Sequence, residues 1–353
     1  MPAKRIAVIP GDGIGKEVIP EAVKVLKTAA SASGSEVMLT EFDWGADRYL
    51  LDGTTLPAGA VEMFENDFDA ILLGAMGDPR VPSNQHAADI LLGLRFKLDL
   101  YVNARPCVLF DQRLTPLKDR TEEEVNFIVF RENTEGLYAG VGGFFKKGTG
   151  EEVATQEDVN TRRGVERIIR YAFEYARKNG LNRVCMSDKS NALTYGHDLW
   201  QRVFKQVRAE YPEIQASHQY IDNLLLQMVR DPSQFQVIVT CNLFGDIASD
   251  LGAGLIGGLG LAPSANLHPG KVSLFEPVHG SAPNIAGKGI ANPMGSILAV
   301  GMMLDSFGWS LASKKIENAV RLALRENKMP VDLGGSLGTR AIGDFIAERV
   351  ASS

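Results

Sequence analysis

The sequence predicts an α/β protein with a largely parallel sheet, because short apolar runs alternate with amphipathic segments. The strand candidates are Ile6–Ile9, Ala70–Leu73, Phe127–Phe130, Arg183–Met186 and Val237–Val239. The helical candidates, which have apolar residues at helical spacing, span 17–29, 164–178 and 199–211. The first two strands each lead into a glycine, at Gly11 and Gly74, as strands do before a tight turn.

Composition fits a globular enzyme and limits its partners. The chain has 353 residues, 45% of them hydrophobic and 23% charged, enough for one large or two medium domains. The net charge is −6 and the acids are spread along the chain, which argues against a nucleic-acid partner. No apolar stretch approaches the roughly 20 residues that span a bilayer, so we expect no membrane association.

The cysteines and the N-terminus indicate a cytoplasmic protein. Cys107, Cys185 and Cys241 are odd in number and far apart, so they predict neither a zinc site nor a disulfide framework. A reducing compartment suits them best. The chain enters a strand pattern directly, without the apolar core and cleavage site of a signal peptide.

A glycine-rich turn at 11–15 permits two interpretations. Its sequence, GDGIG, follows a strand and precedes a helix, as a dinucleotide-binding turn does. The spacing is G-x-G-x-G rather than G-x-G-x-x-G, however, and no acidic residue stands clearly about 20 residues further on. We therefore do not assign the turn to a dinucleotide, and a turn without a ligand stays the alternative.

Two aspartates suggest a divalent-metal site. Asp246 and Asp250 lie four residues apart after a strand, so a helix that begins near Gly245 places both on one face. Their mutual repulsion needs compensation, and Mg²⁺ prefers oxygen ligands. Two solvated acids near a helix N-terminus are the alternative.

Five other side chains could bind an anion or move a proton. Arg95, Arg105 and Arg131 each stand near the end of an apolar segment, and guanidinium groups bind carboxylates through paired hydrogen bonds. Lys189, after a strand, is a candidate general base, and Tyr138 is a candidate proton donor. Taken singly, each is more often a surface or packing residue.

Two segments depart from the alternation of strands and helices. Residues 138–160 contain glycine turns and alternating side chains, which suit either a hairpin arm or a surface loop. Residues 275–293 are too irregular for a helix or a strand and could wrap a nucleotide, although a plain loop fits almost as well.

In combination, the motifs resemble those of one enzyme family. They are GDGIG at 11–15, LR and RP within 94–106, RENTEG and a tyrosine at 131–138, DK at 188–189, DN at 222–223, FGDI and SD within 242–250, and HGSAP, IAGK and IANP within 279–293. In order and across essentially the whole chain, they resemble the decarboxylating dehydrogenases of isocitrate, 3-isopropylmalate, homoisocitrate, tartrate and D-malate. The resemblance implies an NAD- and Mg²⁺- or Mn²⁺-dependent enzyme that oxidises and decarboxylates a malate-type 2-hydroxy acid.

The resemblance also implies a two-domain isopropylmalate-dehydrogenase-like fold, distinct from the Rossmann fold. Residues 1–100 and 255–353 would form the cofactor-binding domain. Residues 101–254 would form the second domain, which carries the arm and the interface of a homodimer with shared active sites.

Chemical roles follow from the matching motifs of this family. Arg95, Arg105 and Arg131 would bind the substrate carboxylates. Lys189, from a second chain, would help take the hydroxyl proton, and Tyr138 would protonate the enol.

The same resemblance implies a metal site and a cofactor site. Asp246 and Asp250 would bind the metal together with Asp222 of a second chain, which also borders the substrate. The cofactor would be bound by His279, Gly280, Ser281, Ala282, Asn284, Ile285 and Asn292. NAD-using members commonly carry aspartate where this chain has Asn284, while Ile285 matches their pattern, so we expect NAD and keep NADP as an alternative.

The substrate side chain is predicted from one segment. Asp89 and Leu91 stand where isocitrate enzymes carry serine and asparagine, which disfavours isocitrate. Leu91 and Leu92 could pack an isopropyl group, so 3-isopropylmalate, and with it leucine biosynthesis, is the main expectation. Segments 101–103, 150–174 and 302–305 are closer to tartrate and D-malate enzymes, which form the alternative. A non-catalytic regulatory subunit is a second alternative, although every matched catalytic residue is present.

Overall fold

The computed structural model describes residues 3–352, in which strands and helices alternate. The strands are β1 (Lys4–Gly11), β2 (Val37–Glu41), β3 (Ala70–Ala75), β4 (Val102–Val108), β5 (Asn126–Glu132), β6 (Gly142–Phe145), β7 (Val153–Gln156), β8 (Arg183–Asp188), β9 (Gln215–Tyr220), β10 (Val237–Thr240), β11 (Pro263–Leu267) and β12 (Ser273–Pro277). The helices are α1 (Gly15–Ala32), α2 (Ala46–Asp52), α3 (Ala60–Asp67), α4 (Gln85–Ala87), α5 (Gly93–Lys97), α6 (Arg162–Lys178), α7 (Gly196–Arg208), α8 (Ile221–Arg230), α9 (Asn242–Leu255), α10 (Met294–Ser306), α11 (Ser310–Arg325) and α12 (Thr339–Ser352). A π-helical turn, Ala88–Leu92, joins α4 to α5.

The chain forms two compact units, of which the first comprises residues 3–100, 105–125 and 253–352. Its strands follow the order β2-β1-β3-β12-β11 and are parallel except for β11, which is antiparallel to β12. Helix α10 is buried along nearly its whole length, and α1 packs against α12 and α10. The first unit is therefore assembled from both ends of the chain.

The second unit comprises residues 101–104 and 126–252. Its strands follow the order β5-β10-β8-β9, and every pairing is parallel. All four residues of β10 are buried, as expected of a parallel strand covered on both faces. The amphipathic helix α6 packs against β5, β8 and β10, and its N-terminus is capped by the Thr161 hydroxyl, which accepts from the Gly164 N–H.

An exposed hairpin projects from the second unit. Strands β6 and β7 pair antiparallel, with Gly142 opposite Gln156, and both are exposed along their length. Of the two alternatives for residues 138–160, the hairpin is thus confirmed and the irregular loop is wrong. Phe144 and Phe145 on this hairpin are largely exposed.

The α/β fold class with a largely parallel sheet is confirmed, while several boundaries differ from the prediction. Residues 275–277 belong to β12 rather than to an irregular segment, because Phe275 pairs with Leu72 of β3. Helix α7 ends at Arg208, short of the predicted residue 211. No helix within residues 3–352 is both long and apolar enough to cross a membrane.

Residues 105–125 belong to the first unit, although the predicted boundary assigned them to the second. Arg113 in this segment donates to the side chain of Asn327 and to the carbonyl of Leu324, each at 2.7 Å. Glu122 accepts from Arg321 at 2.7 Å. These contacts with α11 and the residues just after it are made by side chains far away in sequence, so no local pattern predicts them.

The turn between β1 and α1 is organised by the buried carboxylate of Asp12. It accepts from the N–H groups of Ala46 at 2.7 Å and Gly77 at 2.8 Å, and lies 2.8 Å from Nε2 of the buried His86. Because Nδ1 of His86 has no hydrogen-bond partner, the tautomer that carries its proton on Nε2 and donates it to Asp12 is favoured. Asp12 thus links the turn to the start of α2, to the segment after β3 and to α4, and these contacts explain the turn without a bound dinucleotide.

The same turn packs closely against the segment that follows β12. The N–H of Ile14 donates to the carbonyl of Ser281 at 2.9 Å. Gly13 has a φ of +52°, and a Cβ added there would lie 2.1 Å from that carbonyl oxygen. Position 13 therefore requires glycine for two reasons: its backbone is in the left-handed region, and there is no room for a Cβ beside the Ser281 carbonyl.

We predict that Gly13→Ala lowers the free energy of unfolding by about 3 kcal/mol, since a clash of about 1–3 kcal/mol adds to a left-handed backbone cost of about 1–2 kcal/mol. Gly34→Ala is the matched control: its φ is +64°, but nothing lies within 4 Å of an added Cβ. That variant should lose about 1 kcal/mol. Urea denaturation measures both, and equal losses would contradict the close contact at Gly13.

Candidate active site

The second unit brings together two residues that lie far apart in sequence. Arg131 is near the end of β5, and Asp246 is in α9, the helix that follows β10. Strands β5 and β10 are parallel neighbours, with Arg131 opposite Thr240. Since parallel strands end at the same edge of a sheet, α9 starts beside Arg131.

Arg131 is a buried cation with acceptors on both sides of its guanidinium group. Its side chain is 1% exposed. Asn242, at the start of α9, accepts through Oδ1 from Nε at 2.9 Å and from Nη2 at 2.7 Å, while Nη1 pairs with the carboxylate of Asp246. Gly245 permits this approach, because a Cβ there would lie 2.5 Å from Cβ of Arg131.

Tyr138 completes this cluster. Its hydroxyl donates to Oδ2 of Asp246 at 2.7 Å, and its ring centroid lies 5.0 Å from the guanidinium carbon of Arg131. Burial raises the pKa of Tyr138, and the hydrogen bond to Asp246 raises it further. The phenol is therefore held in its protonated form beside a carboxylate.

Asp246 and Asp250 lie one turn apart in α9, as their spacing predicts. The helix begins at Asn242, three residues before the expected start. Asp246 is half-buried and Asp250 is exposed. Two carboxylates on one helical face form the hard-oxygen pair that Mg²⁺ accepts, so these residues fit a divalent cation.

Lys189 and Asp222 pair with each other at the ends of two neighbouring strands. Lys189 follows β8, and Asp222 lies in the first turn of α8, just after β9. The ammonium group donates to the Asp222 carboxylate. This hydrogen bond holds the pKa of Asp222 below its usual range. Asp222 is exposed, so its charge is accessible on this face of the unit.

Asp222 does not join the other two aspartates within one chain. Among residues 3–352, no three acidic, histidine or cysteine side chains are grouped closely enough to hold a metal ion.

The two arginine candidates of the first unit are buried. Arg95 in α5 and Arg105 in β4 are each 6% exposed, so the surface alternative is wrong for both. Arg95 Nη2 donates to Oε1 of Glu276 in β12 at 2.9 Å, and the same oxygen accepts from Asn266 at 2.7 Å. The acid Glu276 was not predicted, because its partner lies far away in sequence.

The two leucines of the predicted substrate segment differ in their surroundings. Both lie in the π-helical turn and are half-buried. Leu91 packs against the hydrophobic core of the first unit, a cluster that includes Phe64 and Leu94. Leu92 is not part of that cluster.

The candidate cofactor segment, 279–292, is held in place by a residue outside it. Glu17, in the first turn of α1, accepts from the N–H groups of Gly287 at 2.6 Å and Gly289 at 2.8 Å. Sequence reasoning missed Glu17, because its partners are backbone groups. A carboxylate that binds two N–H groups of one loop restricts the path of that loop.

The predicted cofactor residues occupy varied environments. Burial lowers the pKa of His279, whose Nδ1 lies 3.0 Å from the carbonyl of Gly280. Ser281 is buried, whereas Ala282 is half-buried and has a φ of +40°. The remaining members are Asn284, which is exposed, Ile285, which is half-buried, and Asn292, which is buried.

The cysteines are not candidate nucleophiles. All three are free and buried. Burial raises the pKa of Cys107 and Cys241 to about 12 and that of Cys185 to about 11. A thiol must lose its proton to react, so these three remain inert near neutral pH.

Comparison with known proteins identifies the family. The model of the isocitrate/isopropylmalate dehydrogenase family matches residues 5–346. A 3-isopropylmalate dehydrogenase of Thermobifida fusca is 48% identical over 98% of both chains, and that of Corynebacterium kroppenstedtii is 46% identical over 99% of this chain and 100% of its own. The crystal structure of isocitrate dehydrogenase from Methylococcus capsulatus superposes with a TM-score of 0.89, at 40% identity and 99% coverage of both chains.

The chain belongs to the isocitrate/isopropylmalate dehydrogenase family. The predicted family resemblance is thereby confirmed, and the protein is an enzyme of the decarboxylating dehydrogenase class.

We predict that Asn242→Ala lowers the free energy of unfolding by about 2–4 kcal/mol, since it removes the acceptor of two hydrogen bonds from the buried guanidinium of Arg131. Asn223→Ala is the control, because Asn223 is exposed near the start of α8 and donates only to Gln219. That substitution should change stability by less than about 0.5 kcal/mol. Thermal and urea denaturation test both variants, and an unchanged stability of Asn242→Ala would contradict the role assigned to this contact.

Proposed function

We propose that the protein is an NAD- and Mg²⁺-dependent 3-isopropylmalate dehydrogenase that works in leucine biosynthesis. The observation that carries the proposal is the cluster of Arg131, Tyr138 and Asp246, which combines a buried cation, a protonated phenol and a carboxylate. The substrate is inferred from the curated relatives, which are named 3-isopropylmalate dehydrogenase at 46–48% identity. The three buried, free cysteines suit a reducing compartment, so we also propose that the enzyme is cytoplasmic.

Substrate binding is assigned to the arginines Arg95, Arg105 and Arg131. Each is buried, so each places a positive charge where water screens it little. A malate-type substrate carries two carboxylates, which guanidinium groups bind with defined geometry. Asp246 is the acceptor that orients Arg131 before the substrate arrives.

A bound Mg²⁺ would polarise the substrate hydroxyl and the ketone that forms from it. Asp246 and Asp250 are the residues of one chain assigned to hold it, with Asp222 supplied by a second chain. A bound nicotinamide would accept the hydride. We assign the adenosine half of NAD to the segment 279–292. The side-chain amide of Asn284 in this segment is exposed and can form hydrogen bonds with ribose hydroxyls.

Proton transfer is assigned to two residues. Lys189 of a second chain is assigned to take the hydroxyl proton, which it can do once its ammonium group has given up a proton; the Asp222 carboxylate already accepts a hydrogen bond from that group. Tyr138 supplies a proton to the enol left by decarboxylation, since burial and Asp246 keep its phenol protonated. An acid and a base on separate side chains allow the two proton transfers to occur independently.

A homodimer with shared sites is part of the proposal. Large apolar side chains are exposed on the hairpin, on α8 and on α9, namely Phe144, Phe145, Leu226, Val229 and Ile247. Exposed apolar groups of this kind suit burial against a second chain. The position of Asp222, outside the group formed by Asp246 and Asp250, supports the same arrangement.

D-malate or tartrate is the second candidate substrate. Leu91 packs against the core of the first unit, which leaves less apolar side chain for binding an isopropyl group. A smaller substituent would need less apolar surface. The sequence segments 101–103, 150–174 and 302–305, which resemble tartrate and D-malate enzymes, favour the same alternative.

The substrate assignment is tested by NADH formation in the presence of Mg²⁺ with 3-isopropylmalate, D-malate, tartrate and isocitrate. We expect kcat/KM for 3-isopropylmalate to exceed that for D-malate at least about tenfold, the discrimination typical of added apolar contacts. Omission of Mg²⁺ with a chelator should abolish turnover. A preference for D-malate or tartrate would overturn the substrate assignment, and turnover of none of the acids would overturn the enzyme assignment.

Shared sites predict a specific complementation. Lys189→Met and Asp246→Asn homodimers should each retain less than about 1% of activity, since each lacks a catalytic or metal-binding group. A heterodimer of these two variants, isolated with two affinity tags, should recover about half of the wild-type activity, because one site then contains neither substitution. A heterodimer of wild type with Lys189→Met controls for assembly. An inactive mixed heterodimer would show that each site is built from one chain.

A further inference from the structure

The loop that carries Lys189 is fixed on its near side by Asp188. This carboxylate is buried at the end of β8. It accepts from the N–H of Ser190 at 3.0 Å and from Gln201 at 2.7 Å, and lies 2.9 Å from Nε2 of His218. The residue before Lys189 is therefore tied to α7 and β9.

The N–H of Lys189 itself is bound by a different side chain, His197 in the first turn of α7. It donates to Nδ1 of His197 at 2.9 Å. His197 is 1% exposed, and burial lowers its pKa, so the ring is neutral and Nδ1 is free to accept. The proton is then on Nε2, which faces Oδ2 of Asp158 at 3.7 Å.

Asp158 is in turn held by its own neighbours. Its Oδ2 accepts from Asn160 at 2.8 Å, and Oδ1 of Asn160 accepts from the indole N–H of Trp200 at 2.8 Å. Trp200 is buried in α7, the helix that also carries His197. The imidazole thus accepts a hydrogen bond at Nδ1, while a carboxylate that is itself held in place faces Nε2.

The face of the same imidazole reaches α9. Its centroid lies 5.4 Å from that of Phe244, with the rings at 63°, an edge-to-face arrangement. Phe244 is two residues before Asp246 in that helix. One buried ring therefore contacts both the main chain of the candidate base and the helix that presents the candidate metal ligands.

We propose that His197 is a positioning residue, which fixes the main chain of Lys189 relative to α9 through the hydrogen bond at Nδ1. The proposal rests on the proposed function, in which Lys189 is the base. The position of a side chain at the end of a loop depends on the position of its main chain. A displacement of about 1 Å at a reacting group can lower the rate about a hundredfold. His197 touches neither substrate nor cofactor in this role.

The test compares two amide variants that differ in where they offer an acceptor. In His197→Asn the side-chain oxygen can replace Nδ1, whereas in His197→Gln it extends to the position of Nε2. We expect His197→Gln to lower kcat about 10- to 100-fold with KM for the hydroxy acid changed less than about threefold. His197→Asn should restore kcat to within about threefold of wild type.

A second readout reports the hydrogen bond without any turnover. Hydrogen exchange, followed by mass spectrometry of peptides that cover residues 187–192, should show the Lys189 amide protected in wild type and His197→Asn, and exposed to exchange in His197→Gln. Phe204→Leu is the packing control: Phe204 is buried in the same helix and its ring packs against that of Phe173. It should lower stability and leave kcat and the Lys189 amide unchanged.

The outcomes distinguish the role of His197 from the proposed function of the enzyme. Equal kcat values for the Asn and Gln variants, or an unchanged exchange rate in His197→Gln, would overturn the positioning role. If the wild-type enzyme turned over none of the four acids, the proposed function would fail, and the exchange rates would still decide whether His197 fixes Lys189.

Discussion

The second unit depends on the burial of one positive charge. A guanidinium group that is 1% exposed must be paired, because an unpaired buried charge costs several kcal/mol. Arg131 meets this requirement with Asn242 and Asp246, and the absence of a side chain at Gly245 lets α9 approach closely enough. Asp246 also accepts a hydrogen bond from Tyr138. The contact that neutralises the buried charge therefore also brings the candidate site residues together.

The parallel sheet places the candidate site residues at one of its edges. Strands β5, β10 and β8 are consecutive neighbours and end at the same edge. Arg131, the start of α9 and Lys189 leave from those three ends, so each chemical role is placed on a different connection. His197 then spans two of these connections, since it binds Lys189 and contacts Phe244.

Much of this arrangement could be predicted from the sequence, and the part that could not has a common physical cause. The spacing of Asp246 and Asp250 predicts a shared helical face, and the apolar context of Arg131 agrees with its burial. Asp12, Glu17 and His197 carry no such signal, because their side chains accept hydrogen bonds from backbone N–H groups of other segments. Every residue type except proline has such a group, so its partner cannot be recognised from residue identity.

The division of the chain has a consequence for the order of folding during synthesis. All strands of the second unit have been made by Thr240, whereas the first unit still lacks β11, β12 and the helices α10 to α12. The second unit can therefore fold first. At that time β3, in the N-terminal third, has no partner on the side where β12 later pairs with it. Until residues 273–277 have been made, that edge of β3 stays open, and an unpaired apolar strand edge is prone to pair with another chain.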